Sequence, residues 1–249
     1  ALARDERPWD GMAPPDVAFT YAPGRGGKHA ETILDGFKGV LQVNGYSGYA
    51  RLIAPTRAGP KIRLAHCRVH ARRKLVELTR AGPSPVAEEG LTLIRELYRI
   101  EAKIRGQGPA VRLATRQELS IPVMGAFETW LAEHRPRAGS KSPLGQALAY
   151  IANHWEGLQV FLGDGRVEID SNAVEREMRP IALNRRNALF AGHDAGAENW
   201  AMIVSLIGAC KLNAVDPHAW LADTLRAIVA GHPQSRVGEL LPWIYPTKV

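Results

Sequence analysis

Two places in this 249-residue sequence carry residue types and spacings suited to chemistry. The first is Leu41-Gln42-Val43-Asn44-Gly45-Tyr46-Ser47-Gly48-Tyr49. A polar residue at the C-terminal end of a buried strand, followed by glycine, stands where layered α/β folds put ligands and catalytic groups. The same letters also write a plain Asn-Gly turn. The second place runs from Glu168 to Pro180. Asp170 or Ser171 reads as a helix N-cap, with Glu175 about one turn inside. Ala173, Val174 and Met178 cannot all share the face of Glu175, so its carboxylate can point into a cleft. The alternative is a solvated helix on which Glu175 and Arg179 pair at i,i+4.

Other groups invite weighing. His66, Cys67 and His70 are possible metal ligands, since 66 and 70 share a helix face. No second Cys/His pair follows nearby, so a closed zinc site would lack half its ligands, and a structural or DNA-facing role is expected instead. Arg68, Arg72, Arg73 and Lys74 form a dense basic helix start, and Arg176, Arg179, Arg185 and Arg186 a second. Phosphate contacts, which release counterions, explain both; a solvated face accounts for part of each. Tyr46, Tyr49, Trp155 and Trp200 are candidates for stacking on unpaired bases, with core packing the expected use of the tryptophans.

The elements that must position these groups follow from periodicity. Val17–Tyr21 reads as a strand, His29–Phe37 as a helix and Gly39–Val43 as a strand ending at Asn44-Gly45. Ser47–Ile53 reads as a short helix, Lys61–Ala65 as a strand and His66–Thr79 as a helix. That alternation belongs to an α/β layer fold with a partly parallel sheet. From there the pattern is helical: Val86–Arg105, Arg112–His134 and Leu144–Leu162, punctuated by Pro109, Pro136 and Pro143. Ser171–Met178 is a short helix, Ala188–Ala191 a short strand, and Gly196–Leu212 and Pro217–Ala230 two final helices.

Bulk properties narrow the class. Hydrophobic residues make up 45%, enough for a sizeable core. A net charge of +7 favours anionic partners, nucleic acid first. Cys67 and Cys210 are far apart in sequence and form no disulfide framework, which fits reduced thiols in the cytoplasm. No apolar run approaches the ~20 residues of a membrane helix. The first residues hold neither an initiating Met nor a signal core, so a cytoplasmic fragment of a longer protein is expected.

Four blocks, Tyr21–Tyr49, Ala65–Lys74, Asp170–Arg179 and Pro180–Gly192, follow one another along the chain and carry a resemblance that covers nearly all of it, in order. Together they resemble the transposases of the insertion-sequence sixty-six family. The resemblance implies an α/β fold of the RNase H-like kind: a mixed sheet with flanking helices and a large, mainly helical insertion. It implies residues 1–81 as the first part of the catalytic core, 82–165 as the insertion, 166–195 as the Glu-bearing helix and strand, and 196–249 as a C-terminal helical region. Such enzymes use two aspartates and a glutamate to hold two Mg²⁺ ions for phosphodiester cleavage and strand transfer. The resemblance places the glutamate at Glu175. It places the second aspartate at Asn44, in a pattern that normally reads Leu-Gln-x-Asp-Gly-Tyr, and the first on a strand before residue 1. The expectation is therefore a catalytically impaired DDE-type DNA transposase. Its implied partners are double-stranded DNA, as insertion-sequence ends and target, and further copies of itself, without a membrane. A non-catalytic DNA-binding or transposase-interacting protein is the alternative. Asn44 and Glu175 are expected to converge in one cleft.

Overall fold

The computed structural model describes residues 1–184 and 191–246. Most of the strand expected at Ala188–Ala191 lies outside them. Among the described residues the strands are β1 (Leu2–Arg4), β2 (Asp16–Ala18), β3 (Gly39–Val43) and β4 (Ile62–His66). The helices are α1 (Gly27–Ile33), α2 (Arg68–Ala81), α3 (Pro85–Ile104), α4 (Pro109–Thr115), α5 (Ile121–His134), α6 (Pro143–Asn153), α7 (Trp155–Gln159), α8 (Asn172–Asn184), α9 (Asp194–Leu212) and α10 (Pro217–Val229). The protein is mixed α/β but mostly helical, with two small sheets among the described residues.

Two compact units divide the chain. One comprises residues 1–7, 12–24 and 172–249; the other comprises 8–11 and 25–171. In the larger unit β3 and β4 run parallel, in register from Gly39 opposite Ile62 to Val43 opposite His66. Parallel neighbours need a long crossover, supplied here by residues 44–61, which include a 3-10 helix over Ser47–Ile53. Leu34, Val43, Leu52, Ile62 and Leu64 close a small core around this pair.

The helical part of that unit packs a second, larger core. On α2 the inward stripe is Arg68, Ala71 and Leu75; on α3 it is Ala87, Gly90, Ile94, Leu97, Ile100 and Ile104. These spacings of three and four residues put each set on one helix face. Gly90 lets α3 approach α5, because a Cβ there would meet the Trp130 ring at 2.7 Å. The long helix expected over Arg112–His134 is broken by a π-helical turn at Arg116–Ser120. This wider i→i+5 turn keeps Arg112, Arg116 and Ser120 all inward, at 1%, 0% and 0% exposure.

The smaller unit contains β1 and β2, paired antiparallel, with α8, α9 and α10. Val17 of β2 is buried against α9, where Gly208 leaves room for its Cγ1. Cys210, Val215 and Trp220 form a small core, and Trp220 Nε1 donates to the Leu240 carbonyl at 2.8 Å. Helix α8 continues through Pro180 to Asn184, beyond the expected end at Met178. Among the described residues no helix is long and apolar enough to cross a membrane.

Candidate active site

Asn44 follows β3 directly, at the C-terminal mouth of the parallel pair. The ladder closes beneath it: Cys67 N–H donates to the Val43 carbonyl at 2.9 Å. The Asn44 side chain is exposed, and its Oδ1 accepts the Tyr46 backbone N–H at 3.2 Å. This Asx-type contact holds the turn. Gly45 has φ +82°, in the left-handed region that favours glycine. A Cβ at Gly45 would also lie 2.5 Å from the Tyr150 hydroxyl oxygen. That hydroxyl donates to the Asn44 carbonyl at 3.2 Å. Tyr46 donates its own hydroxyl to the Arg25 carbonyl, and its ring meets Tyr49 edge-on at 5.7 Å.

The segment leading to α8 is moored at the same mouth. Gln42 Nε2 donates to the Glu168 carbonyl at 2.7 Å. Arg68 N–H donates to the Ile169 carbonyl at 3.1 Å, and Ser171 N–H to Cys67 Sγ at 3.2 Å. Asp170 accepts the Tyr98 hydroxyl at 2.9 Å; burial, then that carboxylate, raise the Tyr98 pKa. Buried arginines hold the stretch before it. Arg112 donates to the carbonyls of Gly165 and Pro8, both at 2.7 Å, and to the Glu168 carboxylate. Arg116 donates to the carbonyls of Phe161 and Asp164, both at 3.0 Å, and grips Glu101 through two bonds of 2.8 and 2.7 Å. Burial raises the Glu168 pKa, against the opposing pull of Arg112.

Arg68 requires a correction. The basic helix start suggested a phosphate contact, yet Arg68 is 0% exposed. Its guanidinium lies 5.9 Å from the Phe127 ring centre and 5.3 Å from that of Phe161, and donates to the Leu158 carbonyl at 2.7 Å. Burial pushes its pKa down to about 10, so it stays charged at neutral pH. A sealed cation cannot reach DNA. Position 68 shares the inward stripe with 71 and 75, a signal the sequence offers and charge density masks. Arg72, Arg73 and Lys74 are exposed on α2, and Arg176 and Arg179 on α8. Arg185 and Arg186 lie outside the described residues. Cys67 caps α2 from a buried position, and His70 is half-buried on the first turn. Trp155 packs against the large core, with its ring 5.5 Å from that of Phe127, whereas Trp200 is 38% exposed.

Sequence reasoning missed His66, Tyr150 and His154 as neighbours of the turn. The His66 and His154 rings meet at 4.5 Å, and His154 stacks on Tyr150 at 4.3 Å. His154 Nδ1 bonds the Tyr150 carbonyl at 2.7 Å. Burial, then the neighbouring His154, push the His66 pKa down to about 4. Tyr150 and His154 sit one helical turn apart, a spacing visible in the sequence, but nothing local says which strand end they meet.

Glu175 lies in the first turn of α8, half-buried, in the smaller unit; Asn44 belongs to the larger one. As an ion-binding set the two are poor. The Asn44 amide is neutral, and its oxygen already accepts a backbone N–H. Bridging paired divalent ions takes carboxylates. The donors present do not fit a two-ion site, and no step is drawn through one.

The geometry so far defines a mixed α/β protein with a polar turn at the mouth of a parallel strand pair, which is where such folds hold ligands. Comparison with known proteins gives the family. The transposase IS66 family matches residues 1–199, and the IS66 C-terminal element matches residues 205–243. The chain belongs to the IS66 transposase family. It is 43% identical to the uncharacterized protein y4jD of Sinorhizobium fredii (strain NBRC 101917 / NGR234), covering 98% of this chain and 48% of that protein. It is 42% identical to the uncharacterized protein y4qI of the same strain, covering 98% of this chain and 46% of the relative. The chain thus spans about half the length of these curated relatives. No solved structure matches it.

Proposed function

We propose that this chain is an RNase H-like, DDE-type DNA transposase polypeptide whose catalytic centre is impaired at position 44. Its substrates would be insertion-sequence ends and target DNA, met in the cytoplasm and handled by an oligomer. The stretch from 82 to 165 would be an insertion within the core, and Mg²⁺ the ion used by intact members. Asn44 carries the reading: the family frame calls for a carboxylate at this turn, and an amide stands there. Glu175 would be the surviving acidic member of the triad.

Two-ion phosphodiester chemistry needs charge on both sides of the reacting phosphate. Within these 249 residues the family frame supplies only positions 44 and 175 of its three. Incubating the purified chain and its Asn44→Asp variant with supercoiled plasmid and Mg²⁺ tests this. Neither is expected to nick. Mg²⁺-dependent nicking by the unaltered chain would overturn the impairment, and nicking by the variant alone would show that two carboxylates suffice.

A further inference from the structure

Tyr46, the first residue after the Asn44–Gly45 turn, is 41% exposed, yet each of its polar groups is engaged. Its N–H donates to Asn44 Oδ1 at 3.2 Å, its carbonyl accepts the Tyr49 N–H at 3.1 Å, and its hydroxyl donates to the Arg25 carbonyl. What it shows to water is therefore ring carbon. The ring is also held in place. It is tied at both ends, the Tyr49 ring stands edge-on at 5.7 Å, and a Cβ on Gly48 would lie 2.3 Å from Tyr46 Cε1. A tyrosine has few rotamers to lose, and this one is already fixed, so stacking a flat partner on it costs little further order.

The surroundings select the partner. Asn44 and Ser47, on either side of this turn residue, are exposed and polar, so the apolar patch is one ring wide, too small for a protein surface. Beside it runs Arg25-Gly26-Gly27-Lys28. Gly27 brings this stretch down onto the 3-10 helix that follows Tyr46, because a Cβ at 27 would meet the Gly48 carbonyl oxygen at 2.5 Å. Arg25 and Lys28 are exposed and make no ion pair among the described residues. Glu31, on the same helix α1 as Lys28, is taken by Arg51 at 2.9 Å. A fixed ring flanked by two uncompensated cations suits one nucleotide: the base lies on the ring and the phosphates meet the cations. Inside a duplex each base is covered by its neighbours, so the base must be unpaired. We propose that Tyr46, Arg25 and Lys28 form a subsite for an unpaired nucleotide, with its base stacked on the Tyr46 ring. This rests on the reading of DNA as the partner and deepens it: the chain prefers DNA carrying a displaced base to fully paired duplex.

The test uses the full chain in EDTA, with two probes: a duplex carrying one bulged 2-aminopurine, and the same duplex fully paired. Anisotropy reads affinity, and loss of 2-aminopurine fluorescence reads stacking. The unaltered chain is expected to prefer the bulged probe and to quench it. Tyr46→Leu is expected to bind the bulged probe about ten-fold more weakly and to lose the quench, while its affinity for the paired duplex stays in place. If the unaltered chain binds both probes alike without quenching, or if the quench survives Tyr46→Leu, the subsite is overturned and the DNA reading stands. If neither probe binds, the DNA reading fails, and the inference with it. Arg25→Ala combined with Lys28→Ala is expected to keep the quench and weaken binding of the bulged probe; unchanged binding overturns the part given to the cations. Should Tyr46→Leu lower the urea midpoint, Tyr46→Phe decides, because it gives up the anchoring hydroxyl and keeps the ring. A quench that persists then supports the stacking role, and one that is lost overturns it.

Discussion

At position 66 an imidazole is pressed between Gly157 and the His154 ring, with no room for water on its Nδ1 side. Burial disfavours the charged form, and a second imidazole disfavours it further, so the folded protein binds this proton only near pH 4. An unfolded chain binds it near 6.5. Between those values the unfolded state holds the extra proton, so stability falls as the pH drops from 6.5 towards 4. Urea midpoints measured across that window should decline on acidification, and His66→Gln should flatten part of the decline. An unchanged slope would mean that His66 titrates normally. Side-chain chemistry is only partly legible from the sequence at this scale. Asn44 stands out from its place after an apolar strand. Arg68 misleads, since a cluster of like charges hides which member falls on the inward stripe. The His66–His154–Tyr150 contacts join residues far apart in the chain, which local pattern does not reveal.

Elements read best where pattern and punctuation agree. Strand β3 and the 3-10 helix at Ser47–Ile53 fall where the apolar run and the Asn-Gly turn put them. The π turn at Arg116–Ser120 is not legible, because its cause is tertiary: two arginines from one helix must reach carbonyls of the irregular stretch after α7. Pro180 likewise signals a stop, yet α8 continues through it. The arginine network explains how a stretch with little regular structure is held. Glu101, 8% exposed, is the carboxylate facing Arg116 and lies 3.5 Å from Arg112. Removing one member of a buried ionic set leaves charges without compensation, at a cost of about 3–5 kcal/mol. Glu101→Gln, which keeps the shape, should therefore lower the unfolding free energy by about that much. A loss under about 1 kcal/mol in urea titration would show that the carbonyl acceptors alone satisfy Arg116.

Over the whole molecule, the +7 charge says more about the partner than about the fold. With Arg68 sealed inside, Arg72, Arg73 and Lys74 are the exposed cations in the first half of α2. If they meet phosphates, each phosphate no longer neutralised should reduce the slope of log affinity against log salt by about 0.9. The double variant Arg72→Ala, Arg73→Ala should bind duplex DNA more weakly at low salt, with a shallower slope in fluorescence anisotropy. Equal slopes would leave these residues as a solvated face. The predicted alternation of strands and helices points to the mixed α/β class. It does not foretell how small the sheets are, since periodicity marks strands without saying how many neighbours each will find.

Residues 8–11 belong to the larger unit although the chain on both sides of them belongs to the smaller one. The Pro8 carbonyl accepts from Arg112 at 2.7 Å and from the Gly106 N–H at 2.8 Å. This stitch has a practical bearing on anyone dissecting the molecule. A fragment cut as 25–171 would look complete on a gene map, yet it would leave a guanidinium and an amide without their acceptor. A working excision has to carry the short stretch around Pro8 along, as a graft or as an added peptide.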